Sequence, residues 1–376
     1  MFNNANLANQ YHYFASRSRR LRAEGIYEQA LEAHQKCLEI ARNMHDEVRI
    51  ASCYFWIGEC LYQLGRKEDA MAILTPNLKT SSQGNVDDLY NSMSKYIIIA
   101  LDLPSEKHHI ASAIQHTRQY LIDIGHLEWQ HKLLYLEAEL YQMQGFHDKA
   151  LDLAIEAWAA WRDEYPLFVA DAHLFQIAMF QIRLKKVADV ERTLIEWEAN
   201  QNNSFPSYRL AALNRTRSHL NRLLKKPQEA MRYAQRAIDL TKQMQTPESL
   251  ATMYHSLLWA ALIAEDFETA KACIIAIPRT ILRRKATSIA DYHLMRARHL
   301  CGLVPVDIIF DQHYPALPQT LDSTPEIRQS LRRARKLYAI GLHHARKFDK
   351  AFDCTWRQDE IRICVDHIDA LEAVLI

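Results

Sequence analysis

Alanines at positions 30, 70, 150, 230 and 270 stand at multiples of 40 residues from one another. Each closes a hexapeptide: Gly25-Ile26-Tyr27-Glu28-Gln29-Ala30, Gly65-Arg66-Lys67-Glu68-Asp69-Ala70, Gly145-Phe146-His147-Asp148-Lys149-Ala150, and the weaker copies ending at Ala230 and Ala270. Ile110 and Val190 fill the vacant slots, and Ala351 closes a last copy one residue out of phase. Glycine takes the left-handed conformation that follows a helix C-terminus. The closing alanine then lies early in the next helix, where a small side chain lets two helices approach closely. A chain built on this period folds as stacked helix pairs, each burying the apolar face of its neighbour.

Apolar residues recur at helical spacing upstream of the turns: Tyr54, Ile57, Leu61 and Leu64 around Gly58 in the second copy, and Leu134, Ala138 and Tyr141 in the fourth. Ala150, Leu151, Ala154, Ala157 and Trp158 carry the stripe into the following helix. Tyr54, Gly58, Leu61, Gly65 and Ala70, and again Leu134, Ala138, Tyr141, Gly145 and Ala150, make the chain resemble the tetratricopeptide repeat family. Its long repeats are similar to the sensor arrays of bacterial regulators. The period exceeds the roughly 34 residues usual there, so longer helices are expected. The resemblance covers residues 5–300 and implies an all-α fold, an α-solenoid of antiparallel helix pairs forming a right-handed superhelix.

The pattern predicts helix pairs over 5–43, 46–80, 86–124, 127–162, 167–201, 206–244 and 247–276, and a helix over 280–301. Residues 1–302 are thus a repeat array. Pro305, Pro315, Pro318 and Pro325 exclude a continuous helix over 303–325. This irregular insertion stands where an eighth pair would sit, with 306–310 as a short buried helical turn. Residues 326–376 are assigned to a degenerate final repeat and a capping helix. Only 8 glycines occur, too few for a sheet protein with many tight turns. The 7 cysteines form no Cys-x-x-Cys pair and read as reduced core thiols of a cytoplasmic protein. No apolar run approaches the roughly 18 residues of a membrane helix, and the N-terminus lacks a signal-peptide layout.

Charge is segregated. The net formal charge is −7 over residues 1–202, +12 over 203–350 and −4 over 351–376. The basic clusters include Arg283-Arg284-Lys285 and Arg332-Arg333, which are candidates for an anionic partner. A solvated helix face accounts for such runs equally well. In the family resembled, the first helix of each pair lines the concave groove. Placing the register on Gly58 then nominates Phe55, Glu59 and Tyr62; Tyr135, Glu139 and Gln142; Arg215, His219 and Arg222; and His255, Trp259 and Leu262. Aromatic and arginine side chains are the usual anchors of peptide recognition, although packing residues share the same spacing.

The 18 histidines show no zinc-ligand spacing, and no phosphate-cradling loop, nucleophile elbow or kinase motif occurs, so neither a metal nor a cofactor nor catalysis is expected. The leading reading is a non-catalytic scaffold or regulatory adaptor that holds a protein or an acidic peptide. The alternative is a bacterial transcription or signalling regulator that contacts nucleic acid or another anionic partner through residues 203–350; it ranks second because no helix-turn-helix precedes the first repeat. Pairing of unlike ends would give a homo-oligomer. Peptide receptors of the response-regulator-phosphatase type are similar in length and repeats. They carry an N-terminal helical bundle for which no room is expected before the first repeat unit, and on that ground the reading is set aside.

Overall fold

The computed structural model describes residues 2–80, 92, 94–100, 110–123, 125, 130–162, 170–199, 207–242, 247–277, 282–307, 311, 313–352 and 354–376. Its regular elements are helices: α1 (Phe2–Ala23), α2 (Tyr27–Asn43), α3 (Glu47–Gln63), α4 (Lys67–Thr80), α5 (Ile110–Asp123), α6 (Gln130–Met143), α7 (His147–Trp161), α8 (Ala170–Arg183), α9 (Val187–Ala199), α10 (Ser207–Leu223), α11 (Pro227–Lys242), α12 (Pro247–Ile263), α13 (Phe267–Ala276), α14 (Leu282–Leu300), α15 (Pro325–Phe352) and α16 (Trp356–Val374). Residues 94–100 are helical as well. The helices form an all-α array of antiparallel pairs, with one isolated backbone bridge among the described residues, between Leu321 and Leu375. Among the described residues no helix is long and apolar enough to cross a membrane.

One turn chemistry makes the pairs. At Gly25, Gly65 and Gly145 the backbone is left-handed, with φ of 75°, 78° and 88°. The glycine N–H donates to a carbonyl three residues back and the next N–H to one five back, as in Gly65 to Tyr62 (2.9 Å) and Arg66 to Leu61 (2.9 Å). Two orphan carbonyls at the helix end are satisfied in this way. Lys185, Lys225 and Glu265 adopt the same conformation without being glycine, at φ of 58°, 58° and 59°, with the same pair of bonds. The closing residue then makes the first bond of the following helix: Ala30 to Ile26 (3.1 Å), Ala70 to Arg66, Ala150 to Phe146, Val190 to Lys186, Ala230 to Lys226 and Ala270 to Asp266 (all 3.0 Å). All six closing side chains are 0% exposed. Val190 shows that the slot accepts a β-branched residue as well as alanine.

Two compact units are distinguished, one of residues 1–140 with 243–248, the other of 141–242 with 249–376. In the first, α1 packs on α2, α2 on α3 and α3 on α4. Gly58 lets α3 approach the fully buried Leu74 of α4. In the second unit α8 packs on α9 and α10 on α11, and a large core joins α10–α12 to α14–α16 through Leu258, Leu294, Leu331, Tyr338 and Ile368.

Two expectations are corrected here. Residues 325–352 are one helix, so Ala351 lies in its last turn and closes no repeat. The proline-containing segment does not replace a pair: α14 packs against α15, and the segment is the long connection between them. Its far end is fixed by Leu321, whose N–H donates to Val374 (2.8 Å) and whose carbonyl accepts from Ile376 (3.0 Å). The N-terminal end of α16 returns to a turn of the fourth repeat, where the Trp356 indole N–H donates to the Met143 carbonyl (2.8 Å).

Candidate functional site

Within the first unit, Glu59 accepts from Lys95 (2.6 Å) and from Gln63 (2.8 Å), and the same ammonium lies over the Tyr62 ring at 5.0 Å. Burial opposes ionisation of Glu59, but Lys95, Gln63 and Arg22 together hold its carboxyl below the ordinary range. Phe55 is buried and stacks obliquely on Trp56. Tyr135 and Glu139 are half-buried. Phe55 is therefore a packing residue, contrary to its assignment to an open groove, and Glu59 is largely consumed by its own ion pair.

The second unit is more informative. Arg222 and His219 on α10 gather with Ser256 and Trp259 on α12, and Arg222 pairs with the chain's own Asp307. The Arg222 guanidinium donates from Nε to Oδ2 and from Nη2 to Oδ1 of Asp307, both at 2.8 Å. The side chains of this pair are 0% and 3% exposed. A planar fork matched to a carboxylate is the strongest hydrogen-bonded ion pair available to side chains. Arg222 Nη1 also faces His219 Nδ1 at 3.3 Å. Since a guanidinium only donates, that nitrogen accepts, and the imidazole proton resides on Nε2, 3.4 Å from Ser256 Oγ. Burial, reinforced by Arg222, Arg215 and His255, depresses the His219 pKa and keeps the ring neutral. Arg222 lies 5.5 Å above the Trp259 ring, whose buried indole N–H finds no acceptor among the described residues.

His219, Arg222 and Trp259 are thus buried rather than open to a groove, Arg222 against Asp307. Arg215 and His255 remain half-buried, Arg215 lying 5.6 Å over Phe175. Two further cations hold the same segment. Arg298 donates to the Val304 carbonyl (2.8 Å), and Lys225 to the Asp311 carboxylate (2.9 Å). The Asp311 N–H donates to the Asp307 carbonyl (2.7 Å). Residues 308–310 lie outside the described residues. Beneath the connection, Tyr314 stacks on His367 at 3.8 Å and donates to Cys364 Sγ, while Arg298 donates to His367 Nε2. Neither Asp307 nor Tyr314 carried a periodic signal by which sequence reasoning would find it.

The basic clusters divide. Arg332 and Arg333 are exposed and make no ion pair among the described residues. Arg332 borders a surface depression of about 400 Å³ with Ser323, Arg328 and Ile376. Neighbouring cations are neutralised, Arg335 by Asp369 and Glu372 and Arg296 by Glu326. The side chains of Arg283, Arg284 and Lys285 lie outside the described residues.

The family model of the tetratricopeptide repeat matches residues 51–75, which hold the turn at Gly65 and the closing Ala70. The chain is of the tetratricopeptide-repeat type. The crystal structure of a Rap protein complexed with Competence and Sporulation Factor shares its fold at a TM-score of 0.53 and 12% identity, over 98% of both chains. A tetratricopeptide repeat protein from Parabacteroides merdae ATCC 43184 aligns over 96% of this chain and 99% of its own, at 11% identity and a TM-score of 0.36. No curated protein matches the chain.

Proposed function

We propose that this chain is a non-catalytic, cytoplasmic regulatory scaffold whose first-helix surfaces hold a protein or an acidic peptide. The observation that carries this reading is the grouping of His219 and Trp259, from two successive first helices, around the Arg222 guanidinium, which grips one carboxylate. The register nominated those positions as a recognition surface. The fold shared with a Rap protein solved with Competence and Sporulation Factor supports a receptor role. The surplus of cations over residues 203–350 favours an acidic partner.

The test compares a fluorescent acidic dodecapeptide with a DNA duplex of matched charge at 50 and 200 mM salt, for the wild type and for Arg332→Glu/Arg333→Glu. Saturable binding of the peptide, weakened about tenfold by the double charge reversal, is the expected result. Preferential retention of the duplex with a steep salt slope would replace this reading with the nucleic-acid regulator.

A further inference from the structure

α15 is packed on two sides and bare on the third. α14 closes on it at Gly341, where an added Cβ would lie 2.8 Å from Cγ2 of Thr287. α16 covers the flank at Arg335, which pairs with Asp369 and Glu372. On the remaining side Arg328, Arg332, Lys336, Arg346, Lys347 and Lys350 are all exposed. At 3.6 residues per turn these positions fall within about 100° of arc, along roughly 33 Å of helix. None of them makes an ion pair among the described residues. The two carboxylates of α15 are engaged elsewhere: Glu326 pairs with Arg296 of α14, and Asp349 is buried, accepting from the Gln358 N–H (2.9 Å).

On α9, α11 and α16 exposed cations find a carboxylate three residues away: Arg192 with Asp189, Arg232 with Glu229, Lys242 with Asp239 and Arg362 with Asp359. Along the bare face of α15 the neighbours four residues apart are themselves cations, Arg328 with Arg332, Arg332 with Lys336 and Arg346 with Lys350. Like charges so placed repel and destabilise a helix until a counter-charge covers them. The row is broken once. Between Lys336 and Arg346 stand Ala339 and Ile340, both exposed, Ile340 to 44%. Two cationic clusters therefore flank an apolar step. A nucleic-acid backbone gains nothing from such a step, whereas a polypeptide can seat an apolar side chain on it.

We propose that the bare face of α15 docks an acidic helix of a partner protein, whose carboxylates meet the two cationic clusters and whose apolar residue rests on Ala339 and Ile340. This rests on the scaffold reading and gives the acidic partner a surface of its own, on α15. A helix fits the face better than a strand does. Same-face side chains of a strand recur every 6.8 Å or roughly so, against about 6 Å for a four-residue helical step, and fall out of register along the face. A second helix keeps the register, and the small Ala339 lets it approach closely. Charges flanking an apolar seam set the partner and the orientation of such helix pairs.

The experiment uses the full chain and a fluorescein-labelled helical peptide of about 22 residues, the length of the face, read by polarisation. Its glutamates recur at four-residue spacing in two clusters, with one leucine between them. Arg332→Glu/Lys336→Glu and, separately, Arg346→Glu/Lys350→Glu are each expected to weaken binding about tenfold, and Ile340→Ser about threefold. The reversals give Arg328 in the first variant and Lys347 in the second a carboxylate on the same face. Melting temperatures should therefore hold or rise, which separates lost docking from lost folding. If reversal at 346 and 350 leaves binding unchanged, the partner does not lie along α15 and the proposal falls, while the scaffold reading stands. A DNA duplex of matched charge bound as tightly as the peptide, with Ile340→Ser affecting neither, would reduce the face to a counter-charge for any polyanion and overturn the proposal as well. A wild type that ignores this peptide but binds the acidic dodecapeptide keeps the scaffold reading and loses the α15 surface; one that binds neither loses both.

Discussion

A Cβ added to Gly58 would lie 2.7 Å from Cγ and 2.8 Å from Cδ2 of Leu74, a side chain with no exposure and nowhere to retreat. Alanine in a helix interior is favoured over glycine by about 1 kcal/mol, but overpacking a filled core costs about 1–3 kcal/mol. The packing effect wins, and Gly58→Ala should lower stability by roughly 1–2 kcal/mol in urea unfolding; a stabilised variant would mean that α3 and α4 are not in this contact. Asp291 presents the opposite case. It is buried on α14 and accepts from Tyr338 (2.7 Å). Burial pushes its carboxyl up to about 7, with Asp307 and Glu360 adding to the rise against the hydrogen bond. Below about pH 4 folded and unfolded states both hold this proton and the group imposes no penalty. Between about 4 and 7 only the unfolded state releases it, so stability falls across that window and levels off above it. Asp291→Asn keeps an acceptor for Tyr338 and cannot ionise. Its melting temperature should exceed that of the wild type at pH 8 and approach it at pH 4.5, whereas a gap independent of pH would contradict a protonated carboxyl.

The helix-pair turns show how far elements were legible. Gly25, Gly65 and Gly145 announced themselves, because only glycine adopts left-handed φ without steric cost. Lys185, Lys225 and Glu265 fill the same role and were found only through the 40-residue spacing of Val190, Ala230 and Ala270. Gly65 isolates the backbone effect, since an added Cβ would meet nothing within 4 Å. Gly65→Ala should therefore lose about 1 kcal/mol, and Lys185→Gly, at an exposed position, should gain about 0.5–1 kcal/mol. Equilibrium unfolding of both variants checks the pair, and changes of the same sign would refute a shared turn geometry. Ala351 misled for the converse reason. A small residue after a polar stretch fits the hexapeptide, but nothing in Lys347-Phe348-Asp349-Lys350 stops a helix, and α15 runs through it.

At the scale of the whole chain, the periodic part was readable because every repeat restates the same packing problem, and the aperiodic part was not. His219, Arg222 and Trp259 were nominated from register alone. Asp307, the partner of Arg222, lies 85 residues beyond it, in a segment whose prolines reported only that a helix stops. Trp356 is the second such case. Its ring packs edge-on against His147 (5.9 Å), lies 4.9 Å from the Arg183 guanidinium and approaches the position of a Cβ on Gly145 to 3.0 Å. Its indole N–H satisfies the Met143 carbonyl, one of the orphan acceptors that every helix C-terminus leaves. The start of the last helix thus completes a turn more than 200 residues earlier, a closure no local pattern encodes. Trp356→Phe removes the donor and retains most of the ring, and should cost about 1 kcal/mol. Trp356→Ala also empties a half-buried site, so about 2–3 kcal/mol is expected, below the range for fully buried aromatics. Because the ring touches the α6–α7 turn directly, amide exchange of Gly145, Phe146 and Ala150 should quicken in the alanine variant, as should exchange at the start of α16. Acceleration confined to residues near 356 would show that the turn holds itself and that α16 only rests against it.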